Sequence, residues 1–530
     1  MPERAGRFSE FTSRVRSATP PLGDCGVALA SATLLIASFP DFNLASLAWF
    51  ALVPLLIVIA RKPQPARCFF LGWLFGTVFF YGSCYWLTYS MIHTVGFPPW
   101  VAYLALLPGA LVVGIFPAVF ALLLARVVRS GGTSALFLAP VIWPALEWAR
   151  LEITGQLWNA VGYSQAFHPS LIQAAGWGGV YAVGFLIVLA NVAIAYAVLR
   201  RTPRAIGLSL LALSFVGVIM MTLRPPTPGA ERVADPDAIV IAIQPNVPMD
   251  LVKPEAEMKL LKTRHFEMSE AALRQLPNVG TPRLVIWPES PMNFGYGSDL
   301  SLRERLATFA KANRTSVLLN SQEIAPDDGI YNSALLINEE GKLIAQYDKI
   351  RLMPFGEYVP LPQWLPGAGL IRAMVGEFEP GTSYRLMPVG SLRAGVFICI
   401  ESAYPSIARR FSDEGADVLI NISNDGYLGP TAVMRQHLAN AVFRAVENGR
   451  PLLRVTNTGI SAWISPAGEV QDATAGFKPE VRTWTIARTQ HAPTFYTKHG
   501  DWFAVGCAIF TMLVLVFTFL RRGDNPVAAS

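Results

Sequence analysis

Three short segments of this sequence place an acidic, a basic and a thiol side chain beside apolar runs. Glu289 follows Val285-Ile286-Trp287-Pro288, Lys349 lies in a loop rich in charge, and Cys399 ends the run that begins at Gly395. A free thiol is mostly protonated at neutral pH and needs a base or a cation to become a nucleophile. The tetrahedral intermediate of acyl transfer then needs positive charge beside its oxyanion. Together the three side chains indicate a nucleophilic acyl-transfer site.

Each segment alone also has a simpler interpretation. Glu289 could be a solvated loop residue, the loop around Lys349 a solvated face, and Cys399 a small core residue. The combination favours a catalytic site, because none of these structural roles accounts for all three residues. Alternation along the strand is expected to place the thiol and Glu401 on the same side of the sheet.

The region that must position these residues, 227–498, alternates charged turns, short apolar runs and amphipathic stretches, which is typical of a soluble α/β domain. Apolar runs predict strands at Ala238–Ile243, Leu284–Ile286, Ser316–Leu319, Ala334–Ile337, Ala394–Ile400, Val418–Ile422 and Leu452–Thr456. Helical periodicity predicts helices at Pro254–Leu276, Leu302–Ala312, Pro405–Glu414 and Thr431–Asn448. The segment Gly459–Asp472 is predicted to be a closing hairpin.

The composition of the whole chain points to a bilayer. Hydrophobic residues make up 52% of the 530 residues and charged residues only 15%, whereas an average soluble domain has about 25% charged residues. A span needs about 20 apolar residues to cross about 30 Å of hydrocarbon. About eight runs qualify, near 24–40, 44–60, 68–90, 100–126, 134–150, 171–199, 205–222 and 502–520. Glu147 and Arg150, at one end of the fifth run, are predicted to form an interfacial ion pair.

Basic residues fall in every second loop, which predicts the orientation of the bundle. Arginines precede the first run, Arg61 and Lys62 follow the second, and Arg521 and Arg522 follow the last. Such loops stay in the cytoplasm, so 223–500 should lie outside, in the periplasm of a bacterium. This topology explains the net charge of +6 better than nucleic-acid binding does. The five cysteines show no CxxC pairing, and neither metal nor cofactor is expected.

The three segments together resemble the nitrilase superfamily. The sequence reads Trp-Pro-Glu at 287–289, Asp-Lys-Ile-Arg-Leu-Met-Pro-Phe-Gly-Glu-Tyr-Val-Pro at 348–360, and Cys-Ile-Glu at 399–401. With apolar helices in front, and with Trp143–Trp148 and Trp158–Gln165 among them, nearly the whole chain resembles the apolipoprotein N-acyltransferase family. The resemblance implies a multi-span α-helical bundle at 1–226, a periplasmic nitrilase-like αββα sandwich at 227–498, and a last membrane helix at 499–530.

The resemblance also implies roles. Glu289 would be the general base, Lys349 the oxyanion stabiliser and Cys399 the nucleophile; supporting positions are Glu357, Glu401, Tyr331, Asn332 and Asn424. The reaction implied moves an acyl chain from a phospholipid, usually phosphatidylethanolamine, onto the thiol. The chain then passes to the α-amino group of a lipoprotein's diacylglyceryl-cysteine. The enzyme would lie in the bacterial inner membrane.

Three local differences from that family's usual pattern concern the loops. Ile400 follows the thiol where an aromatic residue is common, and Gly426-Tyr427-Leu428 replaces Ala-Trp-Phe. Residues 244–253 lack an expected tryptophan. Two alternatives remain open on sequence: a membrane-tethered amidase that uses water as acceptor, and a non-catalytic membrane binding or transport protein. A lid is predicted at Val359–Gly381, which is rich in proline and glycine.

Overall fold

The computed structural model describes residues 19–223, 236–250, 253–277, 280–326, 329–359, 364, 378–488 and 492–523. The chain divides into two compact units. One comprises Met1–Arg224 with Asp501–Ser530, and the other comprises Pro225–Gly500. Most of the predicted lid and the arginines that precede the first apolar run lie outside the described residues.

The described residues of the first unit are mainly helical. Its helices are α1 (Leu22–Ala37), α2 (Val53–Arg61), α3 (Pro65–Ser83), α4 (Leu87–His93), α5 (Pro99–Val113), α6 (Ile115–Gly131), α7 (Ala139–Thr154), α8 (Pro169–Ile172), α9 (Ala175–Arg200), α10 (Pro203–Thr222) and α16 (Trp502–Gly523). Apolar side chains remain exposed along α10 and α16, as expected for helices whose solvent is lipid.

Among the described residues, three helical segments are long and apolar enough to cross a membrane: Pro99–Gly131, Ala175–Arg200 and Pro203–Thr222. The bent pair α3 and α4, which meet at 51°, would make a fourth. Three of the other predicted runs contain shorter apolar helices, at Leu22–Ala37, Ala45–Arg61 and Trp502–Thr518. The apolar helical character is therefore confirmed, whereas eight spans stay a prediction.

The predicted interfacial ion pair on α7 is wrong, because both side chains are buried inside the helical unit. Glu147 is 7% exposed and Arg150 is 2% exposed. Glu147 accepts a hydrogen bond from the backbone N–H of Val161 at 2.7 Å, and Arg150 donates to the carbonyl of Trp158 at 2.7 Å. Both side chains therefore hold the backbone of the irregular segment that follows α7.

The described residues of the second unit form twelve strands in two six-stranded sheets. The strands are β1 (Ala238–Gln244), β2 (Arg283–Ile286), β3 (Ser316–Ile324), β4 (Ile330–Ile337), β5 (Leu343–Asp348), β6 (Leu386–Val389), β7 (Leu392–Ile398), β8 (Val418–Ser423), β9 (Leu452–Thr456), β10 (Ala462–Ile464), β11 (Val470–Gln471) and β12 (Glu480–Ile486). Their orders are β12-β1-β2-β3-β4-β5 and β11-β10-β9-β8-β7-β6. In each sheet three parallel strands, β1-β2-β3 or β7-β8-β9, are flanked by antiparallel ones.

The helices of this unit cover the outer face of each sheet. They are α11 (Glu255–Arg274), α12 (Leu300–Asn313), α13 (Pro405–Asp413), α14 (Val433–Asn448) and α15 (Phe495–His499). Helices α11 and α12 pack on the first sheet, and α13 and α14 pack on the second. The sheets meet through β1 with β9 and β4 with β7. The layers are therefore helix, sheet, sheet and helix, as the predicted αββα sandwich requires.

The parallel strands are apolar because both of their faces are covered. All seven residues of β1 are buried, and so are all six of β8. These were the strands that the sequence predicted. The outer strands β5, β6 and β12 were not predicted, since their partly exposed residues interrupt the apolar pattern.

Candidate active site

Cys399 lies at the point where β7 ends. The strand stops at Ile398, and Cys399 begins a short 3₁₀ turn with a positive φ of 52°. Its side chain is partly exposed, although the strand behind it is buried. The prediction that alternation aligns Cys399 with Glu401 is wrong, because the left-handed residue breaks the strand before Glu401 is reached.

Glu401 instead holds together the backbone around the other site residues. Its Oε1 accepts hydrogen bonds from the hydroxyl of Tyr347 and the N–H groups of Ile350 and Arg351, at 2.8, 2.8 and 3.0 Å. Its Oε2 accepts from the N–H of Ile398 at 2.8 Å. Burial of this carboxylate raises the pKa of Glu401 above its ordinary value. Glu401 thus ties the loop of Lys349 to the strand of Cys399.

Lys349 follows β5 and is 1% exposed. Its Nζ lies 2.8 Å from Glu357 Oε2 and 3.7 Å from Glu289 Oε1. Burial alone would lower the pKa of Lys349, but the carboxylates of Glu357 and Glu289 outweigh it and raise that pKa. The ammonium group therefore stays charged at neutral pH, as an oxyanion partner must.

Glu289 follows β2 and is held by donors from both sheets. Its Oε1 accepts from the side-chain amide of Asn332 at 2.9 Å. Its Oε2 accepts from the backbone N–H of Asn424, which follows β8, at 3.1 Å. The carboxyl ends of parallel strands in the two sheets thus converge, as they do where ligands bind in α/β folds.

Asn332 and Glu357 complete this polar cluster. Asn332 Nδ2 donates to Glu357 Oε1 at 2.7 Å as well as to Glu289, and Glu357 Oε2 accepts from the N–H of Met353 at 2.7 Å. Tyr331 is the neighbour of Asn332 on β4, so strand alternation directs it to the opposite face. The cluster therefore joins Asn332 and Glu357 to Glu289.

The thiol is protonated in the resting site. Burial and the negative charge of Glu289 raise the pKa of Cys399, while Lys349 opposes that shift. Burial and the charge of Glu289 likewise raise the pKa of Tyr427 to about 12. A protonated thiol needs a base before it can act as a nucleophile, and the carboxylates whose charge raises the pKa of Cys399 are Glu289 and Asp425.

Sequence reasoning missed a buried network behind Cys399. His437 Nε2 lies 3.0 Å from the Cys399 carbonyl oxygen, and Asn421 Nδ2 donates to the same oxygen at 3.4 Å. His437 Nδ1 lies 2.8 Å from Asp425 Oδ1, and Asp425 is paired with Arg454 at 2.9 Å. The available signal was a polar residue inside each of two apolar strands, Asn421 in β8 and Arg454 in β9.

The layering of this unit and the cluster at its strand ends are those of the carbon-nitrogen hydrolase class, and the model of the Carbon-nitrogen hydrolase family matches residues 242–494. The model of the Apolipoprotein N-acyltransferase N-terminal domain matches residues 31–193. The chain belongs to the apolipoprotein N-acyltransferase family, and it is therefore an enzyme of the acyltransferase class. The resemblance inferred from the motifs is confirmed, and the amidase and non-catalytic alternatives are not favoured.

The family assignment also rests on relatives that extend over most of the chain. An apolipoprotein N-acyltransferase of Geobacter metallireducens is 32% identical over 95% of this chain and 96% of its own length. One from Allorhizobium ampelinum is 30% identical over 76% of each chain.

Among solved structures, a Saccharomyces cerevisiae protein of the nitrilase superfamily is similar to part of this chain. It is 18% identical, the match covers 48% of this chain and 91% of that protein, and the TM-score is 0.38.

Proposed function

We propose that this enzyme transfers a fatty-acyl chain from a membrane phospholipid, phosphatidylethanolamine in the first instance, to the N-terminal amine of a diacylglyceryl-modified lipoprotein. The observation that carries the proposal is the cluster of Glu289, Lys349 and Cys399, in a chain whose other unit is built of apolar helices. The cluster supplies a base, a cation and a nucleophile. The helices suit two lipid-anchored substrates.

In the first half-reaction, the Cys399 sulfur attacks the sn-1 ester carbonyl of the phospholipid while Glu289 takes the thiol proton. Lys349 Nζ stabilises the negative charge that develops on the carbonyl oxygen. The carbon–oxygen ester bond then breaks, and Glu289 returns the proton to the leaving alkoxide. The products are lysophospholipid and a Cys399 thioester, so the proton and the acyl group both balance.

In the second half-reaction, the α-amine of the diacylglyceryl-cysteine attacks the thioester carbonyl. Glu289 takes a proton from the attacking nitrogen, and Lys349 again faces the oxyanion. Breaking the carbon–sulfur bond forms the amide and frees the thiol, which recovers its proton from Glu289. Because two bulky lipids use one nucleophile in turn, the kinetics should be ping-pong.

A membrane setting explains why the catalytic unit is joined to apolar helices. Burial in hydrocarbon is worth about 0.8 kcal/mol per methylene, so removing a long acyl chain into water would cost on the order of 10 kcal/mol. A site at the bilayer surface avoids that cost and helps to keep water from the thioester. We place the enzyme in the bacterial inner membrane, with eight spans and with 227–498 in the periplasm.

The chemical proposal is tested by intact-protein mass spectrometry of the full chain in phospholipid micelles. Phospholipid alone should add one fatty-acyl mass and release lysophospholipid. A diacylglyceryl peptide with a free amine should then remove the adduct, whereas the same peptide with an acetylated amine should not. Free fatty acid released at the rate of adduct loss, without acceptor, would instead identify a hydrolase.

Cysteine variants locate the adduct. Cys399→Ala should abolish it and Cys399→Ser should accumulate little, because a hydroxyl lacks the nucleophilicity of a thiol. Cys25→Ala, which removes a cysteine of the helical unit, is the matched control and should behave as the unmodified chain does. Full acyl transfer by Cys399→Ala would overturn the mechanism.

The topology is tested separately with reporter fusions. A reporter at Lys62 should be active in the cytoplasm and one at Gly280 in the periplasm, because the basic loops should remain inside. The same compartment for both positions would contradict the orientation and the access to lipoproteins that depends on it.

A further inference from the structure

The backbone of Cys399 has a conformation that a cysteine does not favour by itself. Its φ of 52° lies in the left-handed region, which a non-glycine residue adopts only where its surroundings impose it. This turn lets the side chain leave the buried strand. Other residues must hold the peptide group between Cys399 and Ile400 in this conformation. The groups that bind the Cys399 carbonyl oxygen show which residues these are.

That oxygen is bound by two buried side chains on other elements. His437, on α14, is 3% exposed and Asn421, on β8, is fully buried. Their nitrogens lie 3.0 and 3.4 Å from the Cys399 carbonyl oxygen. The histidine contact is the shorter, and it comes from a helix that packs behind the turn.

The neighbours of His437 fix where its protons are. Asp425 accepts from Arg454 through both oxygens and from the Ser423 hydroxyl at 3.3 Å. Its Oδ1 also lies 2.8 Å from His437 Nδ1. Although burial opposes its charge, Arg454 and His437 hold the pKa of Asp425 well below its ordinary value. An ionised carboxylate only accepts, so His437 Nδ1 carries a proton.

The other ring nitrogen also faces an acceptor, since a carbonyl oxygen cannot donate. In this arrangement Nε2 therefore carries a proton too, and the ring donates at both ends. Burial and the charge of Arg454 lower the pKa of His437, and the bonds to Asp425 and to the Cys399 carbonyl oppose that shift. The assignment of a proton to each ring nitrogen follows from the two acceptor contacts and not from that pKa. The same Arg454 donates to Asn421 Oδ1 and thereby turns the Asn421 amide nitrogen toward Cys399.

We propose that His437 is a positioning residue for the nucleophile: by donating Nε2–H to the carbonyl oxygen of Cys399, it holds the left-handed turn that presents the thiol to Glu289 and Lys349. This inference rests on the proposed role of Cys399. Arg454 and Asp425 set the orientation and the protonation of the ring, and they do not touch the reacting atoms.

Two substitutions of similar size separate this role from simple packing. In His437→Gln the side-chain Nε2 can still reach the Cys399 carbonyl, whereas in His437→Asn the shorter amide reaches only toward Asp425. Thioester formation at saturating phospholipid should fall about ten- to a hundredfold in His437→Asn, the usual effect of losing a hydrogen bond to a charged donor. His437→Gln should stay within about fivefold of the unmodified enzyme, and KM for phospholipid should change little in both.

Asn448→Ala controls for loss of stability. Asn448 lies at the far end of α14 and bonds the Arg444 carbonyl and Thr497, so this variant should lower the melting temperature without slowing thioester formation. A His437→Asn enzyme within twofold of the unmodified rate would overturn the inference, and so would equal slowing in the Gln and Asn variants. Cys399→Ala, measured in parallel, tests the proposed function independently: activity there would refute the nucleophile itself.

Discussion

Lys349 Nζ lies 2.8 and 2.9 Å from the two carboxylate oxygens of Glu357, closer than it lies to Glu289. Glu357 therefore carries most of the lysine's charge pairing in the resting site. In the proposed mechanism this pairing leaves Glu289 to act as the base, and Glu357 holds the charge of Lys349 in the resting site.

Glu357→Gln should slow thioester formation about ten- to a hundredfold, since the unpaired ammonium of Lys349 would draw closer to Glu289 and weaken it as a base. Single-turnover mass spectrometry of the acyl adduct measures the effect. Glu340→Gln, which changes an exposed carboxylate in the turn before β5, should have no effect. A Glu357→Gln rate within twofold of the original would show that Glu357 only fills space.

Glu401→Gln should destabilise the catalytic unit by about 1–3 kcal/mol, because one carboxylate oxygen becomes an NH₂ group that faces a donor. All four bonds to Glu401 come from N–H or O–H groups, so neither orientation of the amide satisfies them. Tyr347→Phe removes one of these donors and should cost less. Thermal unfolding of the two variants in detergent checks the order, and equal stabilities for Glu401→Gln and the original chain would contradict it.

Gly426→Ala should be destabilising by about 1–3 kcal/mol because of overpacking. A Cβ at this position would lie 2.6 Å from Met249 Cγ and Sδ. Removing the methionine side chain in Gly426→Ala/Met249→Ala should restore part of the loss, with a coupling energy above about 0.5 kcal/mol. Gly280→Ala, where nothing lies within 4 Å, is the control. Strictly additive effects would mean that the two positions do not compete for space.

Asp299 should contribute stability that depends on pH. It caps α12 by accepting from the Leu302 N–H at 3.0 Å and pairs with Lys262 at 2.8 Å. The hydrogen bonds from Lys262 and Leu302 lower the pKa of Asp299 to about 2. Because the folded value lies below the unfolded one of about 3.9, the contribution is present above about pH 4 and is lost as pH falls through about 2.

Asp299→Ala should therefore lower the free energy of unfolding by about 1 kcal/mol at pH 7, a typical value for an N-cap. The difference from the original chain should shrink below about pH 4. Unfolding curves at pH 7, 4 and 2.5 measure it, with Asp413→Ala, an exposed carboxylate at the end of α13, as the control. A difference that grows in acid would have the wrong sign.

The sequence predicts those strands whose residues are all buried, on both faces of the sheet. The parallel strands are buried on both faces, so β1 and β8 read as unbroken apolar runs. Edge strands such as β12 mix exposed and buried residues, and their pairing partners are remote in sequence. The same applies to the membrane half, where Gly114 separates α5 from α6 inside one apolar run.

The candidate site divides in the same way. Glu289, Lys349 and Cys399 lie at strand ends. Their carboxylate, ammonium and thiol groups indicate acyl-transfer chemistry from the sequence alone. The role of Glu401 depends on a positive φ at Cys399, which periodicity cannot foresee. The contact of His437 with Cys399 depends on how α14 packs, and nothing within the helix sequence distinguishes that histidine from an ordinary core residue.

The pairing of β1 with β12 sets a condition on biosynthesis. The outer edge of β1 pairs with β12, the last strand of the catalytic unit. During synthesis this apolar edge therefore stays unpaired until almost the whole unit has been made. Closing so long a loop is slow relative to local folding, and an uncovered strand edge invites wrong partners. We therefore expect chains truncated before residue 480 to leave this edge of β1 unpaired and to be degraded rapidly.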